Sequence, residues 1–226
     1  MPDRAPSVRL TESTRVEAFS DAVMAIVLTL LVLELHVPAH EPGQLPRAIA
    51  QMWASLVAFL ISFLRVSVIW VSHHELFARI RRVDRPLLWM NLWLLLNCTI
   101  VPLPTAVLAD ALHDGAMADL RAATAIYVLL ADVLVAAWLP ILRHLRKRPE
   151  LLEPGADEEF LQAQSARASV GVIVDALAFG VAILAPIPAL VLWTLSLAFL
   201  AMTNDGTGRI PLLRRRRSAP LREGAS

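Results

Sequence analysis

Six stretches of about twenty mostly apolar residues dominate this chain, each long enough to cross a hydrocarbon core roughly 30 Å thick as an α-helix. They are Ala18–Val37, Ile49–Ser72, Pro86–Leu108, Ala122–Leu142, Ala168–Ala185 and Ile187–Thr203. In lipid, a helix satisfies its backbone N–H and C=O groups within the segment, so the expected class is an all-α integral membrane protein. Composition agrees. Hydrophobic residues make up 57% of the chain and charged residues 18%, against about 25% charged in soluble domains. An ordinary soluble globule and a disordered chain are both excluded. The net charge of +1 also excludes a generic nucleic-acid binder. One cysteine, Cys98, makes neither an internal disulfide nor a thiolate metal cage.

Orientation follows from Lys/Arg placement, because cytoplasmic loops carry the excess. With the N-terminus inside, the inner segments hold Arg4, Arg9, Arg15, Arg79, Arg81, Arg82, Arg85, Arg143, Arg146, Lys147, Arg148, Arg167, Arg209, Arg214, Arg215, Arg216, Arg217 and Arg222, 18 of the 21 basic residues. Outer segments hold Arg47 and Arg121, and Arg65 lies within a span. Both termini are therefore expected in the cytoplasm. The predicted organisation is a cytoplasmic segment 1–17, a six-helix membrane domain 18–203 and a basic cytoplasmic tail 204–226. The charged connection at about 143–167 is expected to continue as amphipathic helix outside the bilayer, and Pro186-Ile187-Pro188 forces a tight final hairpin. A cleaved signal peptide fits the first span poorly, because Asp21 abuts its apolar core and Glu34 and His36 follow it. No inverted repeat is visible to support an inverted-repeat transporter.

The first span carries the most unusual residues. At ~100° per residue, with Ile26 at zero, Thr29 falls at roughly −60°, Leu30 at +40° and Leu33 at −20°. Ala22 and Val37 extend this stripe, which is apolar but for one hydroxyl. Asp21, at roughly −140°, is on the opposite face. An intramembrane carboxylate is costly unless paired, so Asp21 is expected to point into its own bundle while the Ile26 stripe faces something else. Ordinary helix packing or lipid contact would also account for such a stripe.

The motif Arg15-x-x-x-Phe19-Ser20-Asp21 at the base of this helix resembles that of the endolysosomal potassium channel family of transmembrane protein 175 and its bacterial relatives. The stretch Trp70-Val71-Ser72-His73-His74-Glu75-Leu76-Phe77 is similar to the same family. So are Arg82-Val83-Asp84-Arg85, Asn91-Leu92-Trp93 and Val101-Pro102-Leu103-Pro104-Thr105. The resemblance covers residues 15–105 by motif and the remainder by layout. It implies a K⁺-preferring channel for monovalent cations in the bacterial inner membrane, formed as a homotetramer with the first helix of each subunit lining a central pore. It also implies no TVGYG filter, and none occurs in this sequence. Carried over by position, Ile26 is the implied hydrophobic constriction, with Thr29 and Leu33 further along the pore. Leu30 shares their stripe.

A ring of four Ile26 side chains closes a pore by dewetting, and four Thr29 hydroxyls offer oxygens to a partly dehydrated cation. Glu34 stands at the outer mouth, where a ring of carboxylates concentrates cations or, equally, an interhelical salt bridge forms. Near the other end, Ser20, Asp21, Trp70, His73 or His74 and Asn91 are expected to form a network that locks the first helix. Interfacial histidines and a metal site built from His73, His74, Glu75 and Asp84 are the competing accounts. Adjacent histidines diverge by ~100°, however, and no His pair at i, i+4 occurs.

Arg65 is charged at mid-span, and Asp132 and Asp175 lie at similar depth, Asp175 being the favoured partner. The three define an alternative function, an ion- or proton-coupled secondary transporter. An enzyme working at His73, His74 and Glu75 lacks a nucleophile or metal constellation at useful spacing, so no enzyme, cofactor or metal is expected. The tail Arg214–Arg217 reads as a topogenic anchor touching anionic lipid. Trp53, Trp70, Trp89, Trp138 and Trp193 mostly fall near span ends, as interface anchors do.

Overall fold

The structure is a computed structural model that describes residues 11–155 and 158–203. The tail arginines therefore lie outside the described residues. Nine α-helices are present among these residues: α1 (Ser13–Leu31), α2 (Leu45–Gln51), α3 (Trp53–Phe77), α4 (Arg85–Ile100), α5 (Pro102–Asp114), α6 (Met117–Ala136), α7 (Trp138–Lys147), α8 (Glu158–Leu184) and α9 (Pro186–Thr203). Five continuous or kinked stretches are long and apolar enough to cross a membrane, namely Ser13–Glu34, Trp53–Phe77, Arg85–Asp114, Met117–Lys147 and Glu158–Leu184. A shorter apolar helix, α9, follows them.

Prolines explain where the long stretches break. Pro102 and Pro104 carry no N–H, and their rings crowd the carbonyls four residues back. The third stretch accordingly divides at Val101 into α4 and α5. Pro140 does the same to the fourth, which divides at Ala137 into α6 and α7. The third and fourth stretches run beyond the expected ends at Leu108 and Leu142, to Asp114 and Lys147. Gly115, at φ 71°, closes α5 in the left-handed conformation that a glycine adopts without steric cost.

One expectation needs correction. The first span does not stay helical to Val37: α1 ends at Leu31, one 3-10 turn covers Val32–Glu34, and Leu35 is extended. In the charged connection, α7 is amphipathic as far as Lys147, with Ile141, Leu142 and Leu145 buried and Arg143, Arg146 and Lys147 exposed; a 3-10 turn covers Pro149–Leu151, and α8 begins at Glu158.

α3 lies centrally, against α1, α5 and α9, while α6 packs mainly on α8 and α5. Small residues allow the α6–α8 approach. A Cβ added at Gly171 would stand 3.1 Å from Val135 Cγ1, and Ala123, Ala131, Ala178 and Ala182 are buried. One core cluster joins α1, α3, α4 and α7 through Met24, Leu31, Val66, Leu94 and Ile141. A second joins α3, α5, α6, α8 and α9 through Ala58, Leu108, Tyr127, Ala178 and Trp193.

The end of the bundle at which α1 starts is tied by backbone. Thr11–Glu12 (β1) pairs antiparallel with Arg82–Val83 (β2). Arg81 N–H donates to Leu151 O at 2.8 Å, and Glu153 N–H donates to Arg79 O at 2.9 Å. The chain entering α1 and the turns between α3 and α4 and between α7 and α8 are thus fixed to one another.

Candidate functional site: the two faces of α1

α1 packs by one face only. Val16, Ser20, Met24, Val27 and Leu31 are buried against α3 and α4, and their helical angles cluster at roughly +80° to +160° from Ile26. The opposite face is open. Ile26 is 57% exposed, Leu30 41% and Leu33 61%, and Ala22 and Thr29 are exposed beside them. Leu33 keeps its place on this face although it belongs to the 3-10 turn. Val37 is exposed but lies beyond the helix, so its helical angle no longer applies. Thr29 Oγ donates its proton to Ile26 O at 2.8 Å. The hydroxyl hydrogen is committed to the helix and the oxygen lone pairs are left for the open face. Glu34 is half-buried in its turn.

The base of α1 meets two polar clusters, one inside the bundle and one on its rim. Inside, Asn91 Nδ2 donates to Ser20 Oγ at 2.8 Å, and Ser20 Oγ donates to Val16 O at 2.8 Å. Asn91 Oδ1 must then accept, so His73 carries its proton on Nε2, 3.0 Å away. All three residues are buried, and the His73 ring stacks on Phe77 at 4.1 Å. On the rim, Trp70 Nε1 donates to Asp21 Oδ1 at 3.0 Å. His74 Nδ1 lies 3.1 Å from Glu17 Oε1, with its ring stacked on Trp70. Asp21 is half-buried at the α1–α3 seam, where it faces α3 of its own bundle.

The structure thus brings Ser20, His73 and Asn91 together in one cluster and Asp21, Trp70 and His74 in another. Arg15 and Phe19 are exposed and border a cleft with Arg85, Trp89 and Leu92. The metal set drawn from sequence is not assembled, because Asp84 is turned elsewhere. It caps α4 by accepting from Leu87 N–H at 3.0 Å, and it pairs with His144 of α7 at 2.9 Å.

Arg65 is 4% exposed and pairs with Asp175 Oδ2 at 3.4 Å. Its guanidinium also donates to Ala131 O and lies 5.0 Å above the Trp193 ring. Asp132 is half-buried and forms no ion pair with Arg65 among the described residues. Trp193 and Trp138 are core residues, not interface anchors: burial leaves them 0% and 8% exposed.

Sequence reasoning missed Glu17, the Asp84–His144 pair, and a buried chain in which Tyr127 Oη donates to Ser62 Oγ at 2.7 Å and Ser62 to Thr105 Oγ at 2.6 Å. Thr105 passes its own proton to Val101 O. Glu17 had a signal, the i, i+4 spacing from Asp21 that puts both carboxylates on one face. The hydroxyl chain had none, since its members come from three helices.

Comparisons with known proteins bear on this arrangement. A profile of the family described as the endosomal/lysosomal potassium channel TMEM175 matches residues 15–102. A potassium channel of Streptomyces collinus is 35% identical over 213 residues, covering 93% of this chain and 100% of the relative. One of Chamaesiphon minutus is 34% identical over 157 residues, covering 68% of this chain and 75% of the relative. The crystal structure of a lysosomal potassium-selective channel TMEM175 homolog from Chamaesiphon minutus superposes with a TM-score of 0.72 at 31% identity, over 84% of this chain and 96% of that one. A variant of the potassium channel MtTMEM175, crystallised with a nanobody fusion, has the same fold at TM-score 0.56 and 19% identity, over 89% of this chain and 97% of that one. With a full-length relative at this identity, the chain is a multi-pass membrane protein that belongs to the bacterial branch of the TMEM175 family, a family of channels and not of enzymes.

Proposed function

We propose that this chain is one subunit of a homotetrameric, K⁺-preferring cation channel of the bacterial inner membrane, with α1 lining the central pore. The observation that carries the proposal is the division of α1 into a packed face and an open face. A helix at the margin of the fold, with Ile26, Leu30 and Leu33 exposed in line and one outward hydroxyl, suits the axis of a four-fold assembly. The names of the relatives supply the ion.

In this account the Ile26 ring is the constriction, closed by dewetting. Thr29 presents its lone pairs to the ion, since its proton is held by Ile26 O. Without a ring of backbone carbonyls, the preference for K⁺ over Na⁺ rests on the lower cost of dehydrating K⁺ and stays modest. The Ser20–Asn91–His73 and Asp21–Trp70 bonds hold the base of α1 against α3 and α4. Arg15 and Phe19 face the cleft beside α4, where a neighbouring subunit packs. α9 completes six spans with both termini in the cytoplasm, and 1–17, 18–203 and 204–226 form the inner segment, membrane domain and tail. Glu34, half-buried in its turn, stands at the outer mouth.

The test is K⁺ against Na⁺ flux in proteoliposomes, with the particle mass measured in detergent. Faster K⁺ flux from a four-chain particle supports the proposal. A monomeric particle with saturable, counter-ion-coupled flux supports the transporter alternative.

A further inference from the structure

We propose that Glu17, Asp21 and His74 form a site for a first-row divalent cation such as Zn²⁺, and that the bound ion clamps α1 to α3. One ligand atom from each of the three residues lies within 4.8 Å of the other two. Glu17 and Asp21 come from one face of α1, four residues apart, and His74 reaches them from α3. Two carboxylates and one imidazole are a donor set suited to Zn²⁺ and its neighbours, with positions left for water.

The neighbouring tryptophan pre-orients the set. Trp70 Nε1 holds Asp21 through Oδ1, so Oδ2 takes no part in that bond. The same indole stacks on the His74 ring at 6.0 Å and 19°, turning Nδ1 toward Glu17. Outer contacts that fix a ligand's orientation are a regular part of metal sites. His74 Nδ1 and Glu17 Oε1 already stand 3.1 Å apart, close to the spacing of adjacent ligands around one ion. A side-chain adjustment of under about 2 Å by Asp21 completes the set, given metal–ligand bonds of about 2.1 Å. The carboxylates are half-buried and His74 is open to solvent, so the ion has an entry path.

Because its ligands come from both helices, the ion opposes any tilt of α1 away from α3. This consequence rests on α1 being the pore helix, whereas the site itself does not. Zn²⁺ is therefore titrated calorimetrically into the full-length protein in detergent, separately from K⁺ flux in proteoliposomes. Expected are one Zn²⁺ per chain, binding at least about tenfold tighter than Mg²⁺, and reduced K⁺ flux when Zn²⁺ is present on the face bearing Ser13. His74→Asn and Glu17→Gln should each weaken binding about tenfold or more, and Trp70→Phe should weaken it less. Glu17→Gln keeps the test available if His74→Asn fails to fold. Wild-type protein that does not distinguish Zn²⁺ from Mg²⁺ overturns the site, as do variants that bind Zn²⁺ like the wild type. Zn²⁺ that binds and leaves flux unchanged overturns the clamp.

Discussion

Asn91 of α4 donates to Ser20 of α1 at 2.8 Å, with both side chains buried, and the bond has a single direction because Ser20 spends its own proton on Val16 O. Ser20→Ala leaves Asn91 Nδ2 without an acceptor, at a cost of about 1–3 kcal/mol. Asn91→Leu leaves His73 Nε2 in the same position. The double variant should lose less than the sum of the two. Thermal unfolding of the detergent-solubilised protein, run as a double-mutant cycle, measures the difference.

Arg65 and Asp175 should behave as a structural pair. Arg65→Met strands the Asp175 carboxylate inside the bundle, a loss of about 3–5 kcal/mol. Adding Asp175→Leu should recover much of that stability and leave K⁺ flux measurable. A stable double variant that abolishes flux would instead favour ion-coupled transport through this pair.

Asp84 has two tasks that one substitution removes. Asp84→Ala strips the N-cap from Leu87 N–H, worth about 1 kcal/mol, and also deprives His144 of its partner. It should cost more than His144→Gln, which keeps the cap. Midpoints of thermal unfolding for the two variants decide the order.

Thr29→Val keeps the shape and removes the oxygen. Its stability should stay within about 0.5 kcal/mol of wild type, because the residue is exposed. The K⁺/Na⁺ flux ratio should fall. An unchanged ratio would remove Thr29 from the ion path.

Much of the bundle was legible in the sequence because a membrane-spanning helix is a length requirement, and the apolar runs meet it. The open stripe of α1 was legible because it follows from 3.6-residue arithmetic on Ala22, Ile26, Thr29, Leu30 and Leu33. The end of α1 at Leu31 was not, since nothing local stops a helix at Val32-Leu33-Glu34. The Asp84–His144 pair was not legible, because the two residues stand sixty apart in sequence and meet only where α7 packs against α4. The burial of Trp193 was not legible, because position along a span does not reveal which side of the helix faces Tyr127 and Arg65.

The central claim is that four copies of the Ile26 side chain close the pore. K⁺ flux through purified wild-type and Ile26→Asn protein in proteoliposomes, at equal incorporation, tests it most directly. A polar ring hydrates the constriction, so Ile26→Asn should conduct several-fold faster than wild type. Equal fluxes would contradict the assignment of α1 as the pore helix.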